Sequence, residues 1–478
     1  MIRTTLLWLF IAYLGVIAWG NWYKALCGLI LLMAVVEHPD MPKSLFGIQG
    51  LNPWNILLLL VLLAWFSHRA HEKLRWDMPG RVNLLLIFYF GLIMVSFFRM
   101  MSNTDPLLAF AALRGAELPT TEYLISEHLI NCFKWVIPGL LLFDGCRSRE
   151  RLLWGVGTFL LVYVLLAVQV IKWMPLSGIQ SGGYLTERSL KILLNEIGYH
   201  RVNLSMMLAG AFWAILAVRP LAGRLISSKL ILLAAGIVLL GQALTGGRTG
   251  YGTWAMVGIL LGMIRWKKLL LLVPIIAILT VVFVPAVKER ALQGFTTETR
   301  DRNVTIEQEF GPSDEGIDLY TITAGRTFAW PFVVDKILEA PFWGHGKEGM
   351  QRTGITTYLY TNYREAFPHP HNAYLQLLLD NGIFGAIPIL LFFATILKYS
   401  LSLYKDTRQA EFVALGGCTL ALVFALLIAS MGSQTFYPRE GAVGMWCAIG
   451  LMLRVHVQRS RWGSSPGNDA QPLWGQTI

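Results

Sequence analysis

Charge is scarce in this sequence. Lys and Arg number 40 and Asp and Glu 29 among 478 residues, so 14% are charged, where soluble domains carry about a quarter. With 55% hydrophobic residues and a mean hydropathy of +0.53, that shortage excludes a soluble globular protein. Cysteine is scarce too: Cys27, Cys132, Cys146, Cys418 and Cys447 are scattered without metal-ligand spacing and read as small core residues. No Walker loop, dinucleotide fingerprint or zinc spacing occurs, so the usual nucleotide and redox machinery is missing. The first apolar block, 6–20, lacks a clear small-residue cleavage site and runs directly into Asn21-Trp22-Tyr23-Lys24, which reads as a retained anchor.

What the chain has is apolar blocks of the length that crosses a hydrocarbon layer of about 30 Å. They fall near 4–20, 24–36, 54–67, 82–98, 128–144, 152–171, 201–218, 229–245, 251–264, 269–286, 383–399, 411–430 and 441–455. The first two form either a tight hairpin or one interrupted helix, so the expectation is an all-α polytopic protein with 12 to 13 spans. Basic residues concentrate in alternate connections: Arg69 to Arg81, Arg147 to Arg151, Arg219 to Lys229, Arg265 to Lys268, Lys398 to Arg408 and Arg454 to Arg461. By the positive-inside rule these face the cytoplasm. The net charge of +11 therefore marks topology and not a nucleic-acid footprint.

One outer connection stands apart. From Val287 to Pro370 the chain is polar, with nine Lys/Arg against twelve Asp/Glu, and Phe328 to Leu338 has a helical apolar pattern. Loops this long are usually functional or disordered. The organisation reads as spans over 1–286, an extracytoplasmic, partly helical loop over 287–382, spans over 383–462 and a disordered cytoplasmic tail over 463–478, with an acidic segment at 300–323.

The polar residues worth attention crowd the outer face. In Pro368-His369-Pro370-His371-Asn372 the prolines hold the chain extended and a helix starts near Asn372, placing His371 at its N-terminal end. A helix N-terminus disfavours imidazolium, so His371 would be a neutral base; it equally serves as a cap, with His369 solvated. Arg248, in the turn Thr245-Gly246-Gly247-Arg248-Thr249-Gly250, either snorkels to water or presents its fork to phosphate oxygens. Arg326, in Ala324-Gly325-Arg326-Thr327, has the same two readings with loop carboxylates as partners. Lys134 is an intramembrane cation, functional by default or paired with Glu127 or Asp144. Glu37-His38-Pro39-Asp40 could hold a metal, though no partner motif accompanies it. Cations for phosphate and a neutral base for a hydroxyl equip a protein to move a group off a pyrophosphate. A carrier without chemistry would need polar residues near the midplane of its spans.

The order Gly247-Arg248, Gly325-Arg326 with Pro341-Phe342-Trp343-Gly344-His345-Gly346 behind it, then His371-Asn372-x-x-Leu375 and Asn381-Gly382-x-x-Gly385 resembles the bacterial O-antigen ligase superfamily, which includes O-antigen polymerases and protein O-oligosaccharyltransferases. The resemblance is concentrated in residues 240–390. It implies a GT-C-type bundle of about twelve helices in the bacterial inner membrane with its catalytic face periplasmic. It implies a donor glycan on undecaprenyl pyrophosphate and an acceptor hydroxyl on lipid A-core, a glycan or a protein, with inversion and without metal or other cofactor. By it His371 is the general base and Arg248 and Arg326 bind pyrophosphate, with Asn372, Lys134 and His369 in support.

Overall fold

The computed structural model describes residues 2–45, 47–174, 182–223, 227–271, a few positions between 274 and 289, 325–365, 367–432 and 434–462. The acidic segment 300–323 and the tail 463–478 lie outside the described residues, as does most of the expected span 269–286. The described chain is an assembly of helices whose one strand pair is Ser44–Leu45 with Ile48–Gln49. Five helices are long and apolar enough to cross a membrane: Pro53–His71, Gly80–Met101, Arg149–Trp173, Ala373–Lys405 and Ala410–Ala429. Shorter apolar helices join them, among them Arg201–Ala217 and Ser228–Leu244. This is an all-α membrane protein.

The N-terminal question resolves as a hairpin. Ile2–Gly20 and Trp22–Leu31 are separate helices, and the Asn21 side chain caps the second by accepting from the Lys24 N–H at 3.1 Å. Leu14 packs directly on Gly28, where an added Cβ would lie 2.5 Å from the leucine. Positions seven before and seven after the break thus touch, which only a fold-back allows.

Burial separates lipid-facing helices from inner ones. Pro53–His71 and Gly80–Met101 leave Leu59, Phe66, Ile87 and Phe98 exposed, a cost in water that disappears against lipid tails. Arg201–Ala217 is buried nearly all round and packs on Ala410–Ala429, Arg248–Ile264 and Ser228–Leu244. The expected single span 128–144 is broken instead. A widened turn over Ser126–Ile130 leads to Asn131–Lys134, and a new helix, Ile137–Gly145, starts after Trp135 and Val136. Pro138 has no N–H to continue the earlier ladder, so the chain must restart there.

The basic connections meet at one end of the bundle, where they form ion pairs between connections distant in sequence. Asp77 takes Arg454 at 2.7 Å, Arg461 at 2.6 Å and Arg147 at 3.3 Å. Asp144 takes Arg69 at 3.0 Å, Glu72 takes Arg151 at 2.6 Å, and Glu411 takes Arg149 at 2.9 Å. Arg454 is fully buried, so it is a structural tie as well as a topogenic charge. The groups singled out for chemistry sit at the other ends of these helices.

Helix Ala373–Lys405 begins ten residues before the apolar run at 383 and is broken at Gly382, φ 62° and ψ −168°. The turn Pro341 to Gly346 fills the break. His345 N–H donates to Leu379 O and Gly346 N–H to Asp380 O, both at 2.7 Å, while Ile383 N–H donates to Pro341 O at 2.9 Å and Phe384 N–H to Phe342 O at 3.2 Å. Every backbone group freed by the kink is thereby satisfied, as a low-dielectric setting demands. Gly382 is required twice: its φ is left-handed, and a Cβ there would stand 2.3 Å from the Phe342 backbone.

Candidate functional site

Three arginines occupy the first residue of three helices: Arg201 of Arg201–Ala217, Arg248 of Arg248–Ile264 and Arg326 of Arg326–Glu339. A cation at a helix N-terminus opposes the macrodipole, so this placement, three times over, works against helix stability. The three starts come together. Arg201 Nη1 donates to Gly246 O at 2.9 Å, in the turn that delivers Arg248. The charge of Arg248 reaches both Arg201 and Arg326. Burial and then Arg248 hold the Arg326 guanidinium below its ordinary value. Converging helix starts and guanidinium forks are the makings of an anion pocket.

The glycines of the Arg248 turn have a packing reason. Gly246 has a φ of +67°, and a Cβ on Gly250 would lie 1.9 Å from Ser205 Oγ. Ser205 Oγ also donates to Gly247 O at 3.2 Å. The turn is pressed onto Arg201–Ala217 so closely that side chains do not fit between.

His371 stands beside this pocket, ahead of a fourth helix start. Asn372 caps Ala373–Lys405, its side chain accepting from Tyr374 N–H at 3.0 Å and Leu375 N–H at 3.3 Å. The preceding segment is pinned from three sides. Trp330 Nε1 donates to Pro370 O at 3.0 Å, Thr356 Oγ1 donates to Phe367 O at 2.9 Å, and Ala373 N–H donates to Ser430 O at 2.7 Å. Held in this way, His371 adopts φ +51°, a conformation costly for a non-glycine residue. Burial, then the charges of Arg326 and His200, push its imidazole down to about 4. It is neutral at pH 7, and its Nδ1 is buried without a hydrogen-bond partner.

His369 is not solvated. Its ring centroid lies 4.2 Å from that of His371, and burial followed by the His371, Arg439 and Arg326 charges pushes it down to about 3. It lines a cavity of about 250 Å³ together with Glu127, Glu348, Lys347, Arg439 and Glu440.

Lys134 stands apart from the arginines and pairs with neither Glu127 nor Asp144. Its Nζ donates to Asn55 Oδ1 at 3.4 Å and lies 4.2 Å over the Trp135 ring. Asp144 is occupied by arginines, and Glu127 accepts from Asn131 Nδ2 at 2.8 Å. Glu37, whose carboxyl burial and Glu440 push up to about 7, does not gather ligands: no group of three His, Cys, Asp or Glu suited to a metal occurs among the described residues.

Arg201 is the residue that sequence reasoning missed. At the boundary of a span it reads as a snorkelling anchor, yet it is 9% exposed and turned inward. The signal was its position, since His200-Arg201 opens a helix as Gly247-Arg248 and Gly325-Arg326 do.

Fold and site together define a multi-pass membrane protein that gathers guanidinium groups and a neutral histidine at one end of its bundle. The sequence model of a family described as O-antigen ligase matches residues 230–390. A Rickettsia conorii protein, provisionally named a polysaccharide ligase, is 37% identical over 81 residues, 16% of this chain and 19% of its own. The chain thus matches about a fifth of that relative's length. The resemblance to the O-antigen ligase superfamily is shown over residues 230–390, the segment that holds Arg248, Arg326 and His371.

Proposed function

We propose that the protein is a GT-C-type glycosyltransferase with about twelve spanning helices that transfers a glycan from undecaprenyl pyrophosphate to an acceptor hydroxyl. The reaction takes place on the periplasmic face of the bacterial inner membrane, as in ligation of O-antigen to lipid A-core. The observation that carries this reading is the meeting of three arginine-bearing helix starts with a neutral, inward-facing histidine. His371 takes the proton of the acceptor hydroxyl as its oxygen attacks the anomeric carbon. The bond from that carbon to the pyrophosphate oxygen breaks, configuration inverts, and Arg201, Arg248 and Arg326 receive the charge that develops on the leaving group. Base and arginines together supply what the step needs without a metal. Asn372 positions His371 through the helix cap.

The test is His371→Ala in purified protein supplied with an undecaprenyl-pyrophosphate glycan and candidate acceptors. Lost general-base catalysis lowers transfer by about 100-fold or more, with the protein still folded and inserted. Near-parental transfer removes His371 from the role. Uptake of the donor into vesicles with no product of increased mass would favour a carrier instead.

A further inference from the structure

The cavity beyond His369 has a composition unlike that of the arginine pocket. At about 30 Å³ per water, its volume of about 250 Å³ holds roughly eight waters, room for one sugar ring with its hydroxyls. Acceptors and donors face each other across it: the carboxylates of Glu127, Glu348 and Glu440 against the cations of Lys347 and Arg439, with Trp135 and Tyr437 in the wall. Buried charges ordinarily close into ion pairs. Here Glu440, Glu127 and Glu348 all act on Arg439, yet among the described residues none reaches it within the 4.0 Å of an ion pair.

The wall groups are held from behind instead. Asn131 Nδ2 donates to Glu127 Oε2 at 2.8 Å, and Gln351 Nε2 donates to Glu348 Oε2 at 3.0 Å. Lys347 Nζ donates to His128 O at 2.9 Å and lies 4.4 Å over the Tyr437 ring, whose hydroxyl donates to Asp380 Oδ2 at 3.0 Å. Fixed donors and acceptors kept apart, with an aromatic wall, match a polyol: each hydroxyl can donate to a carboxylate and accept from a guanidinium or ammonium. Three carboxylates against two cations leave no surplus positive charge for an anion.

Position completes the argument. His369 feels both Arg439 and Arg326 and touches His371, so the cavity adjoins the base on the side away from the arginine pocket. Inversion requires the acceptor and the leaving group to lie on opposite faces of the transferred sugar.

We propose that this cavity is the acceptor subsite and holds one uncharged sugar ring, its hydroxyls shared between Arg439 and the carboxylates of Glu127, Glu348 and Glu440. The acceptor is then a glycan presenting a neutral sugar, not a protein side chain or an acidic sugar. This inference rests on the glycosyl-transfer reading.

The experiment uses the full chain in nanodiscs with an undecaprenyl-pyrophosphate glycan. Its acceptors are synthetic glycolipids ending in glucose, galactose or glucuronic acid, and a Ser/Thr peptide; products are read by mass spectrometry. A neutral-sugar glycolipid is expected to be modified at least about 10-fold faster than the glucuronide or the peptide. Arg439→Gln and Glu348→Gln should each raise the acceptor KM by about 10-fold or more, with a smaller change in kcat, and Arg439→Lys should recover part of the loss. Preference for the peptide or the glucuronide overturns the proposal, as does a parental acceptor KM in both glutamine variants with unchanged melting curves. Should Arg439→Gln fail to fold, Glu348→Gln and the acceptor panel on the parent still decide. A parent that consumes no donor with any acceptor or with water fails differently, because it overturns the glycosyl-transfer reading itself.

Discussion

Replacing Arg201 by glutamine tests whether the three helix starts act as one anion pocket. The side chain is 9% exposed, its Nη1 donates to Gly246 O at 2.9 Å, and its Nε is buried without a partner. Glutamine keeps much of the length and one amide donor but removes the charge and the fork. A hydrogen bond to a charged group contributes about 1.5 to 3 kcal/mol, which at about 1.4 kcal/mol per tenfold is roughly 10- to 150-fold. Two effects draw on that range. Loss of the Gly246 contact loosens the turn that aims Arg248, and loss of the guanidinium weakens the field on the pyrophosphate.

Donor binding is the direct assay, with a fluorescent undecaprenyl-pyrophosphate glycan titrated into nanodiscs of the parent, Arg201→Gln and Arg114→Gln. Arg114 is an exposed arginine lying over Phe110, the situation once expected of Arg201, and its replacement should leave the donor Kd within about twofold. Arg201→Gln should raise Kd by roughly 10- to 150-fold, and the binding that remains should depend less steeply on salt. A variant that melts like the parent and binds the donor with parental affinity refutes the pocket, because Arg201 would then be an ordinary buried arginine.

Further outcomes follow from the same geometry. Because His371 is held down to about 4, the base is neutral throughout pH 6 to 8. Transfer by the parent should therefore be flat there in kcat/KM and fall only as pH drops through about 4. Arg326→Gln removes one depressing charge, so that acid limb should move up towards 6.5; an unmoved limb would separate Arg326 from His371. Arg248→Lys and Arg326→Lys should each keep more transfer than the alanine variants, since an ammonium replaces the charge but not the bidentate fork; equal losses would argue against fork recognition. Gly382→Ala should destabilise by about 1 to 3 kcal/mol or more through its backbone conformation alone, read as a lower melting temperature in detergent, and a parental value would show that the kink can relax. All five cysteines are buried, so a cysteine at exposed Leu338 should be labelled by an impermeant reagent in spheroplasts while one at Lys405 is protected, and the reverse pattern would invert the topology.

What the sequence disclosed depended on whether the informative contact was local. Apolar length sufficed to place Gly80–Met101 or Ala410–Ala429, because a span is satisfied by its own hydrogen bonds and its own hydrophobicity. The cap at Asn372 was legible for the same reason, since acceptor and donors lie within three residues. The break in the 128–144 run carried a local sign in Pro138, but the length of the run concealed it. Beyond reach were relations between distant segments. Nothing near Asn381-Gly382 announces that the Pro341 to Gly346 turn fills the kink, so a glycine motif that resembled part of a site proves to join two layers of structure. Nothing near Arg201 announces that its guanidinium meets Gly246. The same holds for the cavity: Glu127, Glu348 and Arg439 come from segments about a hundred or more residues apart, and each alone reads as a solvated loop charge. Arg201 shows how part of this gap closes. Cations at the first position of a helix oppose the macrodipole, so a chain that repeats the arrangement at 201, 248 and 326 is accepting a local cost for something distant. That pattern can be read from helix starts before any contact is known, and it selects the three arginines that the fold brings together.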